Sequence, residues 1–193
     1  PKKGFDIPFL KKFRALLLSE VKKGRRFICI VGGGATCRSY QDAAFQSARL
    51  SSRDLDLLGI QSTVLNAQFV RFLFQQYAYS TIVQDPRVRV KTSKPIIVGA
   101  GWKPGCSTDR SAVLMAKTYG ASEVLNLSNI EYVYDKDPVE HTDAQKIEST
   151  DWKTFRREIC GNKWAPGTNV PFDPIASREA QKLGLRVSIV RGT

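Results

Sequence analysis

Apolar and polar positions follow two rhythms along this chain, and the rhythms divide it into short strands and longer helices. After Asp6, the run "IPFLKKFRALLLSEVKK" sets Phe9, Leu10, Phe13, Leu16 and Leu17 at helical spacing. It predicts a helix capped by Asp6, with Pro8 tolerated in the first turn. Gly24 ends that helix, and "RRFICIVGGG" reads as a strand buried on both faces. Helices are expected from Ala35 to Leu50 and from Ser52 through "LDLLGIQSTVLNAQFVRFLFQQY". "STIVQDPRVRVKTS" predicts an edge strand or hairpin interrupted by Pro86. "KPIIVGAG" is a second apolar strand, followed by a helix from Ser107 to Tyr119 and a third strand, "SEVLNLSN". "EYVYDKDPVEHTDAQ" reads as loop, a short helix is expected from Asp151 to Ile159, and "GNKWAPGTNVPFDP" is a long loop. A helix from Asp173 to Leu183 and the strand "RVSIV" close the pattern.

Short buried strands alternating with helices predict the α/β class, with a mostly parallel sheet covered by helices on both faces. The 193 residues suit one domain, with no internal repeat and no convincing linker. No apolar run approaches the length of a membrane span, and the first residues carry no signal-peptide pattern. The four cysteines form no CxxC pair, and His141 is the single histidine. A zinc site and a Ser–His–Asp triad are therefore not expected, and separate thiols suit a reducing cytoplasm.

Charge adds one constraint. Thirty Lys and Arg against eighteen Asp and Glu give +12 at neutral pH, a balance that attracts anions. The basic residues are scattered without interleaved stacking aromatics, so a generally basic surface or a site for small phosphorylated ligands is expected rather than nucleic-acid binding.

Ligands of open α/β sheets gather outside the carboxyl ends of the strands, and three loops fall there. In "VGGGATCR" the glycines stand where a helix begins, so backbone amides at Gly33 and Gly34 can face an anion, with Arg38 one turn inside. No "GKS" or "GKT" follows, which excludes a Walker A loop. In "GAGWKPGCSTDR" Ser107 and Thr108 stand at cap positions with Asp109 in the first turn, and Lys103 adds charge. A simple cap accounts for one of the two hydroxyls; a phosphate or ribose would use both. In "NLSNIEYVYDKDP" Tyr132 and Tyr134 offer flat surfaces, and Asp135 and Asp137 offer acceptors.

Five stretches in this order resemble the amino-acid kinase superfamily and, within it, the archaeal-type branch of the UMP kinases. "VGGGATCR" is similar to that family's Gly-Gly-Gly loop with an Arg four residues on, and "DLLGIQSTVLNA" to its Asp-x-x-Gly-Ile-x-x-Thr-x-x-Asn-Ala helix. "WKPGCSTD", "NIEYVYDKDP" and "WAPGTNVPFDPIAS" resemble three further family segments. The resemblance implies a three-layer sandwich and transfer of the ATP γ-phosphoryl group to UMP with Mg²⁺ present. It implies a cytoplasmic homo-oligomer, commonly a hexamer. The UMP side would use Gly33, Asp56 and the loop Trp102, Lys103, Pro104, Gly105, Cys106, Ser107 and Thr108. The ATP side would use Gly34, Arg38, Ser128, Asn129, Tyr134 and Asp137, with Arg38 and Asp109 as catalytic residues and no metal ligand assigned. Gly33 and Gly34 would face the phosphates, where a Cβ would obstruct transfer.

Three departures from the family pattern stand out. The family opens with a strand and a Gly-Gly-Ser loop, whereas this sequence opens at "PKKGFDIPF", just past that point; omission of the segment is the expectation. Glu131-Tyr132 replaces Asp-Gly, and Trp102 replaces a small hydroxyl residue, where it could stack on uracil or close a pocket. A kinase for another small phosphate or carboxylate, and a nucleotide-binding regulator without turnover, are the alternative readings.

Overall fold

The first helix forms where cap and spacing place it. In the computed structural model, which describes residues 4–128, 130–136, 139–161 and 170–192, α1 runs Ile7–Lys22 and the Asp6 side chain accepts the Phe9 N–H at 3.0 Å. Gly24, at φ +87°, turns the chain toward β1 (Phe27–Ile30). Two helices follow, α2 (Gly34–Ala48) and α3 (Ser52–Phe74). Ser51 starts α3 by accepting the Asp54 N–H while its hydroxyl donates to the Asp54 carboxylate. β2 (Ile96–Gly99) lies parallel to β1, with Phe27 opposite Ile96 and Ile30 opposite Gly99.

Residues up to Thr108 form one compact unit and those from Asp109 onward another. The core of the first joins Leu17 of α1, Ala67 and Phe74 of α3, and Ile96, Val98 and Ala100 of the β2 strand and its exit. Phe74 is fully buried there, a burial that stabilises by about 2–3 kcal/mol. The expectation of strands buried on both faces holds for β2, all four of whose residues are buried. It does not hold for β1, which is half-buried throughout and pairs with β2 alone among the described strands.

The stretch from Ser80 to Ser93 is also corrected: it forms no hairpin. Val83 makes one parallel bridge to Gly99, and then Pro86, which cannot donate, and the Asp85–Val88 turn take the chain off the ladder.

α4 (Thr108–Tyr119), in the second unit from Asp109 onward, leads to β3 (Glu123–Ser128), and α6 (Pro174–Lys182) leads to β6 (Arg186–Arg191), parallel to β3. Between them β4 (Val133–Tyr134) and β5 (Lys146–Ile147) pair antiparallel inside the stretch expected to be loop. α5 (Trp152–Phe155), capped by Asp151, widens into a π-helical turn over Arg156–Cys160. The core here joins Val113 and Ala116 of α4, Phe155, Phe172, and Ala176 and Ala180 of α6. The α/β class and the parallel pairing of the principal strands are as expected.

Candidate functional site

The carboxyl ends of β1 and β2 carry the first two glycine loops, and both belong to the first unit. Gly34 adopts φ +58°, a left-handed conformation that favours glycine whatever the space around it. Gly33 is needed for room: a Cβ there would stand 2.4 Å from the Cys37 Cβ in the first turn of α2. At Gly32 a Cβ would meet the Thr108 Oγ1 at 3.8 Å, an ordinary contact that puts this hydroxyl beside the loop. The chain's own geometry therefore demands glycine at positions 33 and 34 before any ligand is considered.

Helix α3 grips both loops from one side. Asn66 Nδ2 donates to the carbonyls of Gly32 and Gly33 at 3.0 and 2.9 Å. Thr63 Oγ1 accepts the Gly101 N–H at 2.8 Å and donates to the Ile60 carbonyl. Asp56 Oδ2 accepts the Gly105 N–H at 2.9 Å, so the carboxylate expected at a ribose also anchors the second glycine loop. These polar groups recur at spacings of seven and three residues, close to two helical turns and one.

Helix α2 packs onto α3 at Gly59, where a Cβ would stand 2.9 Å from Gln41 Nε2 and 3.2 Å from the Cys37 sulfur. Gln41 donates to the Leu55 carbonyl across this contact. Burial pushes the Cys37 thiol above its usual range; the nearby Arg38 charge opposes this and the Asp56 carboxylate adds to it. Arg38 itself is exposed.

Trp102 opens the second loop and carries two cations on its ring, Lys103 Nζ at 4.2 Å and Arg87 Cζ at 4.5 Å from the centroid. Two guanidinium hydrogen bonds and one from its backbone N–H tie Arg87 to Asp85, which holds the Asp85 carboxyl down at about 2. Pro104 and Gly105 form the tip, with Gly105 at φ +73° and the Cys106 N–H on the Lys103 carbonyl. Ser107 and Thr108 lead into α4.

The remaining expected residues lie in the second unit. Ser128 ends β3 and its Oγ accepts the Ile130 N–H at 3.4 Å. Tyr134 in β4 meets Tyr132 edge to face at 6.5 Å, and Lys146 Nζ sits 3.1 Å from the Tyr132 ring centroid. Asn129, Asp137 and all of "WAPGTN" lie outside the described residues. Asp109 accepts the Asp173 N–H at 3.0 Å, while the Asp173 carboxylate caps α6 through the Ala176 N–H. Burial, reinforced by the Asp173 charge, raises the Asp109 carboxyl to about 6, against the lowering effect of the amide it accepts.

A cavity of about 750 Å³ opens beside β6, lined by Tyr132, Trp152, Phe155, Phe172 and Leu185 among others. It shares only Glu131, Tyr132 and Val133 with the candidate nucleotide loop. Among the described residues no three His, Cys, Asp or Glu cluster as a metal cage, and no helix is long and apolar enough to cross a membrane.

Sequence reasoning quoted Thr63 and Asn66 within the α3 pattern and Asp173 at a helix start but gave none of them a site role, and it gave none to Arg87. The first two were findable, because they share a helical face with Asp56; Arg87 and Asp173 reach their partners only through the fold.

The sequence matches the amino acid kinase family over residues 3–191. The uridylate kinase of Hyperthermus butylicus is 30% identical over 192 residues, covering 96% of this chain and 83% of that protein. That of Methanocorpusculum labreanum is 28% identical, covering 98% and 81%. Among solved structures, the uridylate kinase of Archaeoglobus fulgidus superposes with a TM-score of 0.81 at 25% identity, over 96% of this chain and 84% of that one. The UMP kinase of Bacillus anthracis, at 17% identity and a TM-score of 0.73 over 99% and 81%, shares the fold. A match running through both compact units, on a chain whose glycine loops sit at the ends of parallel strands, makes this protein a member of the amino acid kinase family.

Proposed function

We propose that the protein is an ATP-dependent UMP kinase, transferring the γ-phosphoryl group of ATP to UMP to give UDP and ADP. The observation that carries this reading is the meeting, in one unit, of the amide-bearing start of α2 with Thr108 and the Asp56–Gly105 anchor. The similarity to proteins named uridylate kinase over nearly the whole chain supports the same substrate pair.

Phosphoryl transfer asks little covalent chemistry of a protein; it asks for in-line placement and positive charge around the equatorial oxygens. Backbone amides at Gly33 and Gly34 and the Arg38 guanidinium supply these in the proposal. Asp56 takes the UMP ribose, and the loop from Trp102 to Thr108 holds the rest of UMP. Ser128, Asn129, Tyr134 and Asp137 take ATP. Asp109, engaged at the Asp173 amide, enters as a group that sets the start of α4. Mg²⁺ would arrive on the ATP phosphates, neutralising their charge.

The two compact units are read as halves of one kinase domain, which the family match from residue 3 to 191 supports. A homo-oligomer is proposed on the exposed Leu65 and Phe72 of α3. A cytoplasmic setting is proposed on the four free thiols.

The test is a coupled assay of ADP release with UMP, CMP, AMP or no acceptor. Release that requires UMP is the expected result. UMP binding without turnover would replace the kinase by a nucleotide-binding regulator, and release with a different acceptor would change the substrate.

A further inference from the structure

We propose that Asn66 is a positioning residue for phosphoryl transfer, acting by fixing which way the Gly33 and Gly34 amides point. The inference rests on the kinase reading above and adds a residue to it.

A trans peptide unit is planar, with its C=O and N–H directed oppositely. The Gly32 carbonyl shares its plane with the Gly33 N–H, and the Gly33 carbonyl shares its plane with the Gly34 N–H. Asn66 Nδ2 holds both carbonyls, at 3.0 and 2.9 Å. Both N–H groups are thereby turned away from α3, toward the open end of β1 where the α2 N-terminus favours an anion.

The two planes are not equally secured. The Gly33 carbonyl also accepts the Cys37 N–H at 3.1 Å, the first bond of helix α2. Among the described residues, Asn66 is the one donor to the Gly32 carbonyl. The Gly33 amide therefore depends on Asn66, whereas the Gly34 amide is also held by the helix. Gly33 has no side chain to resist rotation of that plane, and Gly32 before it has none either.

The same helix face ties the acceptor loop at Gly101 through Thr63 and at Gly105 through Asp56. Asn66 thus sets the anion-facing amides in register with the loop proposed to hold UMP. An amide that is already oriented costs no reorganisation when charge develops on the transferring group.

The experiment compares wild type with Asn66→Asp, which keeps the shape of the side chain and removes its N–H donors. Steady-state kinetics with UMP and ATP are measured beside thermal unfolding. The expected result is a fall in kcat of about 10- to 100-fold, smaller than complete loss of an oxyanion donor. The KM for ATP should stay within about twofold, because the Gly34 amide keeps its helical support. A folded Asn66→Asp variant with kcat within about twofold of wild type overturns the proposal.

A second measurement covers a variant that does not fold: backbone amide NMR of the wild-type protein titrated with UMP. The Gly33 N–H resonance is expected to move downfield; no movement at saturating UMP also overturns the proposal. The kinase reading fails separately, by absence of UMP-dependent ADP release from the wild-type protein.

Discussion

Asp109 Oδ2 accepts the backbone N–H of Asp173 at 3.0 Å, joining the first turn of α4 to the cap of α6 within the second unit. The price of that placement is a buried carboxylate beside a second one, and its carboxyl is raised to about 6 from an ordinary 3.8. Below the ordinary value both folded and unfolded states hold the proton and no penalty exists. As pH rises toward 6 the unfolded chain has lost its proton while the folded one keeps it, so stability falls. Above the folded value the loss levels off at about 3 kcal/mol.

Asp109→Asn keeps an oxygen for the Asp173 amide and removes the titration. It should be more stable than wild type near about pH 8, by up to about 3 kcal/mol, and no more stable near about pH 4. Urea unfolding at the two pH values checks this. A difference independent of pH would mean that Asp109 is not held as a buried acid.

Gly33 and Gly34 should respond differently to the same methyl group. Gly33→Ala forces the new Cβ against the Cys37 Cβ, 2.4 Å away, and should cost about 1–3 kcal/mol through displacement of the loop. Gly34→Ala meets nothing within 4 Å but keeps φ +58°, at about 1 kcal/mol of backbone strain. Thermal unfolding gives the order; equal losses would contradict the distinction between space and conformation.

Arg38 is exposed, so its removal can be read without a folding defect. Arg38→Ala should lower kcat by about 100-fold or more while UMP affinity changes by less than about threefold, because its charge is proposed to act on the transferring group. Unchanged turnover would take Arg38 out of the active site.

Asp56 is proposed to act on the UMP side of the transfer. Asp56→Asn retains an oxygen that can accept the Gly105 N–H, so the loop should stay in place. Loss of the charged acceptor should weaken UMP by about tenfold, the scale of one charge-assisted hydrogen bond. Calorimetric titration with UMP and with an ATP analogue separates the two nucleotides; a loss confined to ATP would reverse the assignment.

Trp102 was open to two roles, a base platform or a pocket wall. With Lys103 and Arg87 already on its ring, its indole serves first as a support for two cations. Trp102→Ser should therefore raise the KM for UMP only about two- to threefold, the effect of loosening exposed cation–π contacts. A rise of tenfold or more would put the uracil ring on the indole.

Much of this was legible in residue order. Asp6, Ser51, Asp151 and Asp173 announce helix starts because a cap needs one oxygen a few residues from the amides it serves. The runs around Cys29 and Val98 announce strands, and the glycines after them announce where a ligand can approach. What failed at sequence level was pairing. The segment around Val83 has strand-forming residues but finds one bridge, and Val133 pairs with Ile147 and Tyr134 with Lys146 across the stretch expected to be loop.

Local sequence thus determined the helices, the principal strands and the family, because caps, periodicity and glycine loops act within a few residues. The tertiary structure alone decided which groups hold the loops and helix starts: Asn66 at Gly32 and Gly33, Thr63 at Gly101, Asp109 at Asp173. Each of those bonds spans more than thirty residues of chain, and a hydrogen bond has no sequence signal until packing brings donor within about 3 Å of acceptor.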